Sequence, residues 1–251
     1  MVVRLDKYLA DAGKGTRSQV KQYVKKGIIS VNGVVVKKSD IKIDTEKDEV
    51  LFQGQSVVYS EFQYYMLNKP QGVVSATSDK KDKTVIELIE EEKRRDLFPV
   101  GRLDKDTEGL LVITNDGKLA NNLLAPGKHV DKSYYVEIVK GEIDTNNEEK
   151  AGNIPAEDIE TIRKAFAEGV DIGDEKLTRP AILETSGDGF LITISEGRYH
   201  QIKRMFQAVG YRVSFLKRIS MGKLMLDENL KPGEYRKLTE REIDILKKVS
   251  D

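Results

Sequence analysis

The sequence contains no cysteine and only two histidines. Without thiols there can be no disulfide, no thiolate zinc site and no cysteine nucleophile. Two imidazoles leave little room for a histidine-based metal site. No apolar run approaches the ~20 residues needed to span a bilayer. The first helical stretch is charged, unlike the apolar region of a signal peptide. These absences predict a soluble, cytoplasmic protein with no membrane association. There is also no Walker loop, no Gly-x-Gly-x-x-Gly following a strand and no Gly-x-Ser-x-Gly elbow. Nucleotide cofactors are therefore unsupported, and catalysis, if any, rests on carboxylate, Tyr, Lys or Arg.

The chain has 251 residues, 39 % of them hydrophobic. That is enough to bury a core in one large domain or in a small and a medium one. The 42 Lys and Arg balance 42 Asp and Glu. At face value, zero net charge argues against a polyanion partner. The average conceals an asymmetry. Residues 1–38 hold nine Lys or Arg and two acids, a net of +7, which leaves −7 on the rest. The two parts need separate explanations.

In the basic head, Leu5, Tyr8, Leu9 and Ala12 recur at helical spacing, with Gly13 as the stop. A second helix fits Ser18 to Lys26, with Ser18 or Thr16 near its N-cap and Gly27 past its end. Val20 and Val24 form its apolar stripe; Lys21, Lys25 and Lys26 lie on the other side. Two β-branched runs flank Asn32-Gly33, a strong hairpin signal because both turn positions need positive φ. A Lys-rich face is commonly just solvated. Almost no acid interleaves here, however, and clustered cations of this kind neutralise phosphates. Arg4-Leu5-Asp6-Lys7-Tyr8-Leu9, Arg17-Ser18, Lys26-Gly27 and Val31-Asn32-Gly33 resemble the α-L RNA-binding motif of small-ribosomal-subunit protein four, over about the first 45 residues. The resemblance implies RNA docking through Arg4, Arg17, Ser18, Lys21, Lys25 and Lys26, and nothing about chemistry.

The domain boundary is expected near residue 58, giving a head of 1–58 and a body of 59–251. In the body, strands are predicted at Tyr64–Leu67, Val73–Ala76, Leu110–Thr114, Tyr134–Val139, Ala181–Glu184, Phe190–Ile194 and Tyr211–Leu216. Helices are predicted at Thr84–Arg95, Leu119–Leu124, Glu157–Phe166, Tyr199–Val209 and Glu240–Lys248. Strands outnumber helices without strict alternation. This favours α+β, with a mixed, largely antiparallel sheet and flanking helices, over a doubly wound fold.

The most unusual segment is Gly101-Arg102-Leu103-Asp104-Lys105-Asp106-Thr107-Glu108-Gly109-Leu110-Leu111. Two glycines bracket a dense charged loop feeding an apolar strand, a usual place for chemistry. A loop Asp such as Asp104 or Asp106 can equally cap a turn. The segment resembles the signature of pseudouridine synthases that modify ribosomal RNA. Four others match in order: Leu67-Asn68-Lys69-Pro70-Gln71-Gly72, Lys132-Ser133-Tyr134, Ser195 through Phe206, and Pro232-Gly233-Glu234-Tyr235-Arg236 with Leu238-Thr239. With the head, the resemblance spans essentially the whole chain, and its wording is most similar to the RsuA type, which modifies small-subunit ribosomal RNA. An acidic stretch near 142–160 departs from the pattern and reads as a lineage-specific loop.

The resemblance implies the pseudouridine synthase fold and a reaction that detaches uracil from its ribose, turns it and rejoins it through carbon, without a cofactor or metal. Asp104 occupies the nucleophile position. Lys203 is implied as the cation that keeps it ionised. Tyr134 matches the active-site tyrosine, suited to stacking and proton handling; Tyr135 points the opposite way. Arg102 could hold a flipped nucleotide or pair with Asp106 or Glu108. Arg198 and Arg204 are expected on phosphates. His200 could contact RNA or serve structure, and Asn68 and Lys69 are expected to shape the cleft floor, with a plain turn as the competing account. The partner is then ribosomal RNA or a ribosomal assembly intermediate, met by a monomer. The alternatives are a large-subunit enzyme of the same family, a non-catalytic assembly factor, and a hydrolase using Asp104 with Asp106.

Overall fold

The computed structural model describes residues 1–89, 96–128, 130–140 and 154–250. The chain divides into two units, Met1–Gln63 with Ile89–Leu97, and Tyr64–Leu88 with Phe98–Asp251.

In the first unit the helices Leu5–Asp11 and Arg17–Lys25 form as their apolar spacing predicts. Thr16, not Ser18, is the N-cap: its hydroxyl accepts from Gln19 N while the Gln19 side chain accepts from Thr16 N. This reciprocal capping box satisfies two backbone donors that the helix start would leave open. Leu5, Tyr8, Leu9, Val20, Val24 and Ile29 close a small core with Ile43, Val50 and Val57. Ile29–Val31 pairs antiparallel with Val34–Val35, and Asn32 (φ 51°) and Gly33 (φ 78°) make the turn from the left-handed region, as their residue types require.

The second unit is built on one sheet. In spatial order its strands are Ile182–Ser186, Gly189–Ile194, Lys132–Lys140, Tyr211–Met221, Glu108–Thr114, Tyr64–Lys69 and Tyr235–Lys237. Neighbours run antiparallel except Glu108–Thr114 and Tyr211–Met221, which are parallel. The fold is therefore α+β with a mixed, mostly antiparallel sheet. Leu110 and Val112 alternate toward a core completed by Leu119 and Leu123 of the helix Gly117–Leu124 and by Leu246 of Glu240–Ser250.

Two predicted elements differ. Val73–Ala76 is not a strand; it makes a single bridge, Val74 to Thr84. Its residues instead brace a loop, as described below. Of the helix predicted at Thr84–Arg95, the described part holds a short 3-10 turn, Ile86–Leu88, and residues 90–95 lie outside the described residues. So does most of the acidic stretch near 142–160. Among the described residues no helix is long and apolar enough to cross a membrane.

Candidate active site

The charged loop leaves Gly101 and enters the strand Glu108–Thr114 through Gly109. A side chain at Gly109 is impossible without rearrangement. Its φ is 105°, and a Cβ there lies 2.2 Å from the carbonyl oxygen of Arg218 on the parallel neighbour strand. The glycine thus allows close backbone approach where the loop joins the sheet.

The loop is held from below by the segment 69–75. Lys69 ends an apolar strand and is fully buried. Its ammonium donates to the carbonyls of Asp104 and Thr107, both at 2.9 Å, and of Pro70 at 3.0 Å, with Lys105 O at 3.4 Å. Burial lowers its pKa from 10.5 to about 8, against the upward pull of Asp106, Asp104 and Glu108. Ser75 Oγ accepts from Leu103 N and donates to Leu103 O. Gly72 N donates to Lys105 O. Lys69, expected to shape the cleft floor, is not among the residues that line the cleft; it organises the backbone of the loop that carries Asp104. Asn68 is likewise buried and donates through its side chain to Leu230 O. Its backbone pairs with Gly233 and Glu234. Both residues belong to a strand covered on both faces, which local sequence cannot reveal. Ser75 carried no sequence signal at all.

Above the loop, one cleft is lined by Arg102, Asp104, Tyr134, Arg198, His200 and Lys203, six of the expected residues. Asp104 is half-buried. Its Oδ2 lies 3.4 Å from Lys203 Nζ and its Oδ1 3.4 Å from His200 Nε2. Lys203 sits on the helix Gln201–Ala208 and makes its shorter contact, 2.6 Å, with Asp106 Oδ1. Partial burial pushes the Asp106 carboxyl up, but the Lys203 hydrogen bond and charge overcome this and hold it below the usual carboxylate range. One ammonium thus serves two carboxylates. Tyr134 is buried in the cleft wall. Tyr135 takes the opposite face, donating to Glu137 and meeting Phe215 edge-on at 6.2 Å, as strand alternation requires. Arg102 is exposed and has no ion-pair partner among the described residues, so the expected pairing with Asp106 or Glu108 is not made.

Arg198 and Arg204 depart from expectation. The Arg198 guanidinium donates to the carbonyls of Lys176 and Leu177, both at 2.7 Å, and to Glu196 at 3.2 Å. Arg204 donates to Asp174 at 2.6 Å, to Tyr199 O at 3.1 Å and to Ile172 O. The Arg204 hydrogen bond in turn keeps the Asp174 carboxyl below its ordinary pKa. Both arginines tie the segment 196–204 to the loop 172–177 and leave little donor capacity for phosphate. The Tyr199–Val209 helix starts later than predicted, at Gln201.

In the head, Arg17, Ser18, Lys21, Lys25 and Lys26 are exposed. Arg17, Lys21 and Lys25 follow one another at i, i+4 and form an exposed stripe of the helix alongside the buried Val20 and Val24. Arg4 differs from the others. It donates two hydrogen bonds to Asp6, at 2.7 and 3.1 Å, and Asp6 is buried. Burial raises the Asp6 pKa, yet the Arg4 partner brings it below the ordinary value. Arg4 is first a counter-ion for that carboxylate. No group of three or more His, Asp or Glu among the described residues could hold a metal ion.

Comparison with known proteins adds to this geometry. A family model described as RNA pseudouridylate synthase matches residues 63–208, and one described as the S4 domain matches residues 3–50. The uncharacterized RNA pseudouridine synthase YtzG of Bacillus subtilis is 46 % identical over 97 % of this chain and 98 % of its own. The ribosomal small subunit pseudouridine synthase A of Haemophilus influenzae is 38 % identical over 98 % of this chain and 100 % of its own. A crystal structure of a pseudouridylate synthase superposes with a TM-score of 0.63 at 37 % identity, covering 97 % of this chain and 99 % of that one. The carboxylate loop, the tyrosine and the helix lysine thus sit in a chain that belongs, over nearly its whole length, to the RNA pseudouridylate synthase family.

Proposed function

We propose that the protein converts a uridine of small-subunit ribosomal RNA to pseudouridine, with Asp104 as nucleophile. The observation that carries the reading is the cleft itself: a half-buried Asp104 carboxylate flanked by Lys203 and His200 at 3.4 Å, with Tyr134 in the same wall. A carboxylate so placed can form an adduct with an electron-poor carbon of the nucleotide and later leave. Lys203 places a positive charge 3.4 Å from that carboxylate. Tyr134 offers a ring face for an extruded uracil and a hydroxyl for proton movement. Arg102, exposed at the cleft and without an ion-pair partner among the described residues, is available for the phosphate or the vacated stack of a flipped nucleotide. The head, residues 1–58, docks the RNA through the Arg17, Lys21 and Lys25 stripe with Ser18 and Lys26, and residues 59–251 carry the chemistry. The small subunit is favoured by relatives whose names specify it at 38 % identity over full length. On this reading the protein acts as a monomer in the cytoplasm, on ribosomal RNA or an assembly intermediate.

Asp104→Asn keeps the shape of the side chain and removes its charge. Pseudouridine formation on a small-subunit RNA transcript is expected to fall below detection while RNA binding persists. Unchanged turnover would show that Asp104 is not the nucleophile.

A further inference from the structure

Tyr199, next in sequence to the cleft residue His200, is unused by the function so far described. Tyr199 exposes 76 % of its surface, although a tyrosine ring ordinarily finds cover. It lies flat against the His200 imidazole, with ring centroids 3.9 Å apart and planes inclined by 17°. His200 in turn lines the cleft and reaches Asp104. The two rings therefore form a stack that begins beside the reactive carboxylate and ends at solvent, with the outer face of Tyr199 uncovered.

The pair is held in place by the backbone. His200 has φ 48° and ψ 35°, a left-handed conformation that a non-glycine residue adopts at a cost and that tends to persist at functional sites. Arg204 fixes both residues: its guanidinium binds Tyr199 O, and its N–H binds His200 O at 3.0 Å. Arg204 is itself clamped by Asp174 and Ile172 O. Arg198, one residue before Tyr199, is anchored to Lys176 and Leu177. The two arginines thus hold the backbone that carries the ring, and the stack on His200 orients the ring itself. A ring fixed in advance binds without a further ordering cost.

We propose that Tyr199, backed by His200, is a stacking platform for a nucleobase adjacent to the target uridine; this rests on the reading above that the cleft takes a uridine from RNA. Turning a uridine out of its stack leaves its neighbours without a partner on one side. An exposed ring beside the cleft replaces that partner. Because every base has a π-face, the contact adds affinity and register without demanding one base identity.

The test compares the full-length wild type with Tyr199→Ala and Tyr199→Phe. The probe is a small-subunit ribosomal RNA transcript, and the assay is single-turnover pseudouridine formation over a range of enzyme concentrations. Tyr199→Ala is expected to raise the half-saturating concentration about tenfold, with the effect concentrated there and not in the saturated rate. Tyr199→Phe, which keeps the ring, is expected to stay close to wild type. The salt dependence of binding does not change, since no charge is lost. An unaltered half-saturation for Tyr199→Ala overturns the proposal, as does a Tyr199→Phe variant as weak as Tyr199→Ala. If wild type forms no pseudouridine, the functional reading fails by itself. Filter binding of the same transcript then decides on Tyr199 alone, by the same tenfold criterion.

Discussion

Lys69→Met removes an ammonium from beneath the Asp104 loop and keeps a chain of similar length. Two opposing effects set the outcome. The wild-type ammonium satisfies carbonyls of Asp104, Thr107 and Pro70 at 2.9 to 3.0 Å. In the variant Thr107 O and Pro70 O lose this donor while Asp104 O keeps only Thr107 N at 3.1 Å, at ~1–3 kcal/mol for each acceptor left unmet. Against this, Lys69 is charged where burial disfavours charge, and its pKa falls from 10.5 to about 8. That difference corresponds to about 3 kcal/mol of penalty relieved by methionine. The balance at neutral pH is a net loss on the order of 2 kcal/mol, or a melting temperature lower by roughly 4–8 °C for a chain of this size. The sign with pH follows from linkage. Between pH 8 and 10.5 the unfolded chain binds the Lys69 proton and the folded chain does not, so wild-type stability rises with pH through that window. Lys69→Met lacks this contribution. The gap between the two proteins should widen by about 3 kcal/mol from pH 7 to pH 10.5, and taking the difference cancels the alkaline behaviour of all other groups. Because the Asp104 carbonyl is one of the acceptors that lose the ammonium, kcat on RNA should also fall by roughly ten- to a hundredfold with KM little changed. Thermal unfolding of both proteins at several pH values is the assay. A variant as stable as wild type at pH 7, or a gap that stays constant with pH, would refute the reasoning.

Further predictions concern other parts of the molecule. Gly109→Ala places a methyl 2.2 Å from Arg218 O at φ 105°, and calorimetry should show a loss of about 3 kcal/mol or more; a melting temperature within 2 °C of wild type, a margin set by about 1 kcal/mol, would contradict the packing described. Replacing Arg17, Lys21 and Lys25 together with Gln should reduce the slope of log affinity against log salt by about 2 to 3, so an unchanged slope measured by filter binding rules out that stripe as the docking face. Glu242 is held down to about 2, first by its hydrogen bond from Arg236 and also by Thr239. Its stabilisation is present above its ordinary pKa of 4.5 and lost as pH falls toward 2; acid unfolding of Glu242→Gln should therefore show a deficit on the order of 2 kcal/mol at pH 7 that closes by about pH 2, and a deficit independent of pH would count against it.

Much of the fold was legible because it is written in local periodicity. The strand at Leu110–Thr114, the helix stripe of Val20 and Val24 and the Asn32-Gly33 turn each follow from neighbours in sequence. What was not legible depends on distant partners. The strand Tyr235–Lys237 has three residues and is defined by its pairing with Tyr65, Met66 and Leu67, so no window around it carries the signal. Val73–Ala76 has strand-like residues, but Ser75 finds both its partners on Leu103. The cleft shows the same division. The resemblance to known synthases brought Asp104, Tyr134, Lys203, Arg102 and His200 to one place in the sequence reading, and one cleft contains all five. A lysine, however, reads as solvent-facing unless the carbonyls that receive it are known, and those of Lys69 lie up to 38 residues away. Arg198 and Arg204 look like phosphate ligands until Asp174 and the carbonyls of 172–177 are brought beside them.

The parallel pairing of Glu108–Thr114 with Tyr211–Met221 has a mechanical consequence. It joins two otherwise antiparallel halves of the sheet through only two register pairs, Lys217 with Glu108 and Arg218 with Gly109, reinforced by Arg218 Nε donating to Leu110 O at 2.7 Å. Asp104 enters from one half. Tyr134, His200 and Lys203 belong to the other. The reactive distances are therefore set across a seam and by neither half alone. If, as proposed, a nucleotide seats between Asp104 and Tyr134, it acts as a rivet across that seam, and occupancy of the cleft should be felt as slower amide exchange at Gly109 and Arg218.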